Sequence, residues 1–193
     1  MDNIKTHVTF TFGRFNPPNK GHSVLFDTVI ENSKTEKGDY KIFTSKSEDA
    51  KRNPLSYKLK LKWLYKIHPN LIGDVIEDED VRTYLEAATF LYNMGYTNVT
   101  FVAGNEDLTY MKPALIEYNN KENKHGFYNF NTIDFVESNS PDERSTDARK
   151  YAIEYDLNKF QKVVGIDNTE IALQLLYDVR NGMFTKTQEE CKQ

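Results

Sequence analysis

Short runs of β-branched and aromatic residues alternate along this chain with segments of helical period, and that alternation restricts the fold more than any other feature. Residues 8–12 (Val8-Thr9-Phe10-Thr11-Phe12), 40–44, 74–77, 98–104 and 132–136 read as strands. Between them, residues 23–32, 56–67 and 83–94 read as helices. The second carries Leu59, Trp63, Leu64 and Ile67 at helical spacing behind Leu55, and the third is closed by Gly95. A further helix is expected over 145–155. Strands separated by helices of this length cannot pair as hairpins. They form βαβ units joined by right-handed crossovers. The expected fold class is therefore α/β, a Rossmann-like doubly wound parallel sheet with a short C-terminal helical extension.

In domain terms, residues 1–157 are expected to form the sheet domain. Residues 158–193 form an extension packed on that same domain, with two short helical patterns over 158–183 and a frayed tail over 185–193. The polar, turn-rich stretch 117–131 reads as a surface loop. At 193 residues, with 38% apolar and 13% aromatic residues, the chain can supply a core. No apolar run nears the roughly 20 residues of a membrane span. Met1 to Lys5 lack the apolar core of a signal peptide, and the lone Cys191 excludes an internal disulfide, so a cytoplasmic location is expected. A net charge of −4 argues against a broad nucleic-acid surface. Any anion must then be held by a local group of cations.

Gly13-Arg14-Phe15-Asn16-Pro17-Pro18-Asn19-Lys20-Gly21-His22 supplies such a place, lying between the first strand and the first helix. A strand–turn–helix junction gathers backbone N–H groups at the positive end of the helix dipole, which suits phosphate. Gly21 allows close backbone approach, while His22 and Asn19 are within reach of a phosphate there. The plain alternative is a structural turn in which His22 only caps the helix. A second anion site is offered by Glu143-Arg144-Ser145-Thr146-Asp147-Ala148-Arg149. Ser145 or Thr146 can cap a helix after the Pro141-Asp142 turn, and Arg149 follows one turn later on the same face. An ordinary solvated helix start explains that stretch equally well. Gly104-Asn105-Glu106-Asp107 ends a strand with a carboxylate suited to ribose hydroxyls, or is simply an acidic loop. Lys46, Lys51 and Arg52 follow the second strand, as candidate acceptor contacts or as a solvated basic loop. All these motifs fall at strand C-termini, the edge where open parallel sheets bind ligands.

The first motif resembles the (H/T)-x-G-H signature of the nucleotidyltransferase superfamily, and RSTDAR resembles its S-T-x-x-R helix, in matching order and spacing. The G-R-F-x-P-x-x-K-G-H form is most similar to archaeal-type nicotinamide-nucleotide adenylyltransferases and their phage-encoded relatives. The stretches Asn53-Pro54-Leu55-Ser56-Tyr57 and Tyr177-Asp178-Val179-Arg180-Asn181-Gly182-Met183 are similar to those phage proteins as well. The resemblance implies that His22 stabilises the α-phosphate during transfer. It implies that Arg149 holds the β- and γ-phosphates with Ser145 and Thr146 beside it. Gly13, Arg14, Phe15, Lys20, Gly21, Gly104 and Glu106 then line the nucleotide. Asn19 stands where the family has His or Thr, and it cannot carry charge.

By this resemblance the chain is expected to be an adenylyltransferase that uses ATP with Mg²⁺ and a phosphorylated acceptor. Nicotinamide mononucleotide leads among acceptors, giving NAD and pyrophosphate. Neither nucleic acid nor membrane is expected as a partner, and homo-oligomerisation is left open. If the gene is phage-encoded, the compartment is the host cytoplasm. Two alternatives stand beside this. One is a cytidylyltransferase activating a phosphorylated sugar or alcohol, which typically shows an R-T-E-G-I-S-T pattern absent here. The other is a nucleotide-binding module without turnover, motivated by Asn19.

Overall fold

The computed structural model describes residues 6–139 and 144–190, with side chains to Thr185. Met1 to Lys5, the Pro141-Asp142 turn with Glu143, and Cys191 lie outside the described residues. Five strands form one sheet: β1 (His7–Gly13), β2 (Asp39–Thr44), β3 (Val75–Ile76), β4 (Asn98–Ala103) and β5 (Thr132–Glu137). Their order is β3-β2-β1-β4-β5 and every pairing is parallel. The helices are α1 (Lys20–Thr35), α2 (Tyr57–Ile67), α3 (Tyr84–Asn93), α4 (Asn105–Glu117), α5 (Ser145–Glu154), α6 (Leu157–Val164) and α7 (Thr169–Glu190). The expected α/β, Rossmann-like doubly wound sheet is what the chain forms. Among the described residues no helix is long and apolar enough to cross a membrane.

The residues group into two compact units that interleave along the chain. One comprises the chain up to Gly13, Val24–Ser45 and the stretch from Gly73 up to residue 139; the other comprises Arg14–Ser23, Lys46–Ile72 and the chain from Arg144 onward.

The first unit is the sheet with its helices. Alternation along β1 sends Val8 and Phe10 to one face, where they meet Phe43, Phe101, Leu85, Ala88, Leu91 and Leu115 in a closed core. Phe10 lies 5.0 Å from Phe101 and 6.2 Å, edge-on, from Phe43. Burying each such ring contributes about 1.5–3 kcal/mol. The opposite face carries threonines, and there the Thr9 hydroxyl donates to Asn32 Oδ1 of α1 at 2.8 Å. Helices therefore cover both faces. Sheet order reverses between β1 and β4, which makes the C-terminal ends of these neighbours the topological switch point. Gly13 ends one and Gly104 follows the other.

The second unit has its own core, built from Leu55, Trp63, Phe160, Val163, Leu175, Leu176 and Val179 around Ala148 and Ala152. The small alanines let α5 sit close to its neighbours. The Trp63 indole N–H donates to Asp178 of α7 at 2.8 Å. At Gly182 the helix comes so near Pro54 that an added Cβ would lie 2.2 Å from the Pro54 carbonyl oxygen.

The structure departs from the sequence-based expectation in three places. Helix α1 begins at Lys20 and runs to Thr35, because Asn19 caps it earlier than the apolar period suggests. Residues 105–117 form α4, although two acids and the interior Pro113 blur their helical signal. The expected frayed tail is helical as far as Glu190, since α7 is anchored by Leu175, Leu176 and Val179 and its backbone ladder continues into polar sequence.

Candidate functional site

The segment that follows β1 is built on unusual backbone. Phe15 adopts a left-handed conformation (φ 44°) and the Asn16–Pro17 peptide bond is cis. The Phe15 ring is 1% exposed and sits edge-on to the His22 imidazole, with centroids 4.9 Å apart. The Phe15 ring therefore forms the wall behind His22.

Asn19 organises the helix start. Its side-chain oxygen accepts the His22 N–H at 3.1 Å, an N-cap bond, while its own backbone N–H donates to His22 Nδ1 at 3.1 Å. A ring nitrogen that accepts has no proton, so the neutral imidazole carries its hydrogen on Nε2. Burial is the main reason His22 stays neutral, and the nearby positive fields of His68 and Arg14 add to it; together they push its pKa down to about 3. The result is a neutral donor fixed in one tautomer at the N-terminus of a helix. Asn19 itself is 3% exposed, and its Nδ2 donates to Ser145 Oγ at 3.1 Å. The expectation that Asn19 reaches a phosphate meets a side chain already committed at both ends.

Helix α5 starts after Arg144, whose backbone N–H donates to Asp147 Oδ2 at 3.3 Å, so neither Ser145 nor Thr146 caps it as expected. The Ser145 hydroxyl instead turns to the first motif and donates to the Pro17 carbonyl at 2.9 Å. Arg149 reaches the same segment: Nη1 donates to the Asn16 carbonyl at 2.8 Å and Nη2 to Thr146 Oγ1 at 3.1 Å. The two signature motifs, far apart in sequence, are thus hydrogen-bonded to each other.

Burial lowers the pKa of Arg149, and the positive charges of Arg14 and Arg52 lower it further, against the opposing pull of Asp49 and Asp147. Three guanidiniums therefore share one field. Among the described residues none of them forms an ion pair. Arg14, Lys20, Lys51 and Arg52 are exposed. The Lys20 stem lies along Gly165, where an added Cβ would be 2.7 Å from Lys20 Cγ. Lys46 Nζ stands 5.1 Å above the Tyr57 ring. Asp49 folds the basic loop: its carboxylate accepts the backbone N–H of Lys51 at 2.9 Å and that of Arg52.

All of these residues, with buried Gly21, belong to the second unit. Gly13, Gly104 and Glu106 belong to the first. Gly13 ends β1 with its carbonyl on the Ser45 N–H at 2.9 Å. Gly104 is the N-cap of α4, and Glu106 is exposed in its first turn.

Three participants carry no signal in the sequence. His68 ends α2 and places Nε2 3.5 Å from Ser23 Oγ. Asp49 acts through loop geometry. Asn16 lies inside the first motif, but its partners are 39 residues away. Among the described residues no group of three or more His, Cys, Asp or Glu side chains converges to hold a metal ion.

No family model matches the chain, and no curated protein matches it. Among solved structures, the crystal structure of an intact type IV self-sufficient cytochrome P450 monooxygenase is 19% identical, with a TM-score of 0.30. That match covers 78% of this chain and 16% of the other, so the chain spans less than a fifth of that protein. A similarity of this size carries nothing about function.

Proposed function

We propose that the chain is a nucleotidyltransferase that moves AMP from ATP to a phosphorylated small-molecule acceptor. Nicotinamide mononucleotide is the leading acceptor. The observation that carries this reading is Arg149, held from α5 against the Asn16 carbonyl and Thr146, with the charges of Arg14 and Arg52 near enough to add to the lowering of its pKa and no ion pair among the described residues. Like charges held together this way are relieved by a polyanion, and guanidiniums pair well with phosphate oxygens. Beside them, neutral His22 offers a single Nε2–H donor.

In this reading an already ionised phosphate oxygen of the acceptor attacks the α-phosphorus in line. A new P–O bond forms, the bond to the β-phosphate oxygen breaks, and pyrophosphate leaves with the bonding pair. No side chain must remove a proton. His22 Nε2–H bonds the oxygen that gains charge at the α-phosphorus, while Arg149 and Arg14 hold the leaving phosphates. Mg²⁺ accompanies the triphosphate as its counter-ion.

Pyrophosphate release measured with each of four nucleoside triphosphates and a panel of phosphorylated acceptors tests the reading. Turnover is expected with ATP, and turnover with CTP alone would favour the cytidylyl alternative. The inward-turned Asn19 favours a second reading, a nucleotide-binding module. Tight triphosphate binding without turnover for any pair would select it.

A further inference from the structure

Asn16 is 1% exposed and reads one distant residue in two ways. Its Nδ2 donates to the Leu55 carbonyl at 3.0 Å, and its Oδ1 accepts the Leu55 N–H at 3.0 Å. A short planar group with a donor and an acceptor side by side is required. Aspartate lacks the donor, and serine is too short to present both. Leu55 is fully buried in the core of the second unit, so its backbone is a fixed point. From there the chain runs back through a closed turn, in which the Asp49 N–H donates to the Asn53 carbonyl at 3.1 Å and the Asp49 carboxylate holds the Lys51 and Arg52 amides. On its other side, the Asn16 carbonyl accepts Arg149 Nη1 at 2.8 Å. One uncharged residue therefore touches the guanidinium of α5 and the frame of the loop that carries Arg52.

We infer that Asn16 is a positioning residue for a bound polyphosphate, setting the spacing between Arg149 and the Arg52 loop. The inference rests on reading the arginine group as an anion site. A short anion meets one of the two elements, whichever way they are spaced. A longer one must meet both at once, and it binds well only when their separation is fixed in advance. Because Asn16 carries no charge, replacing it alters the geometry and leaves the Coulombic field of the site intact.

The test is calorimetric titration of wild type and Asn16→Ala with orthophosphate, pyrophosphate and tripolyphosphate, with thermal unfolding recorded alongside. Tripolyphosphate affinity is expected to fall about tenfold or more, with orthophosphate affinity within about twofold of wild type. A lowered Tm with all three affinities unchanged, or an equal loss for all three, would overturn the inference. If Asn16→Ala does not fold, exchange of the Leu55 amide in the wild-type protein decides the matter. It is expected to slow when tripolyphosphate binds, and an unchanged rate overturns the inference. Wild type that fails to bind tripolyphosphate overturns it too. The outcomes also separate it from the transferase reading. Tripolyphosphate binding without turnover removes the transferase and leaves Asn16 in its role; turnover with an unchanged triphosphate KM in Asn16→Ala does the reverse.

Discussion

Of the neighbouring strands, β1 ends at Gly13 and β4 is followed directly by Gly104, and both lead into a helix, yet the two junctions differ chemically. After β4, Gly104 is itself the N-cap and α4 begins at once, with Glu106 and Asp107 in its first turn. Those carboxylates answer the positive end of the helix dipole from within the chain. After β1, a loop intervenes, Asn19 is the cap, and the first turn of α1 holds Lys20 and His22 and no acid. No carboxylate of that turn offsets the dipole, and the charge of Arg14 adds to the positive field at His22. A fold that uses the same junction twice thus closes one and leaves the other electropositive.

Substitutions at the open junction should affect chemistry, and those at the closed one only stability. The largest effect is expected from His22→Ala, which in the proposed mechanism removes the Nε2–H donor to the α-phosphate. A loss of about 10²- to 10³-fold in kcat is expected, with the fold intact by circular dichroism. Full activity in that variant would remove the transferase mechanism. Next comes Arg149→Gln, which should raise KM for the triphosphate about 10- to 100-fold through loss of a charge-assisted contact. An unchanged KM would break the comparison at its electrostatic root.

Acid stability is the third measure. The folded pKa of His22, about 3, lies below its ordinary value of 6.5. Stability due to the neutral ring is therefore fully present above about pH 6.5 and is lost as pH falls towards 3. The slope from this one group is at most about 1.4 kcal/mol per pH unit. Chemical denaturation across that range should show a shallower slope in His22→Gln, and an identical slope would mean that the ring is solvated. The smallest effect is assigned to Glu106→Gln, about 0.3–1 kcal/mol of stability, with turnover unchanged. A raised nucleotide KM in that variant would support the ribose contact that the family resemblance implies for Glu106.

The strands are legible in the sequence because period and composition agree in them: Val8 and Phe10 alternate with threonines, and residues 98–103 are almost wholly buried. Helix α4 is not, because its acids and Pro113 conceal a helix whose single fully buried residue is Leu115. Within the site, the sequence indicates which residues belong together but not which way they face. Asn19 and Ser145 are both expected to meet a ligand, and they meet each other. That outcome depends on where α5 begins relative to the loop after β1, which is a tertiary fact. Phe15 illustrates the same limit, since no local pattern reveals that an aromatic residue in a glycine-bearing turn will adopt a left-handed backbone and bury its ring. His68 leaves no local trace because its partner Ser23 is distant in sequence and the contact arises only when α2 ends beside α1.

The chain has a single tryptophan, and Trp63 is wholly buried in the unit that carries the candidate site, with its indole bonded to Asp178. Its intrinsic fluorescence is therefore a native reporter of that unit alone, while far-ultraviolet dichroism registers the sheet as well. Superimposable melting curves from the two signals would show one cooperative transition. An earlier fluorescence transition would show the site-bearing half loosening while the sheet still holds.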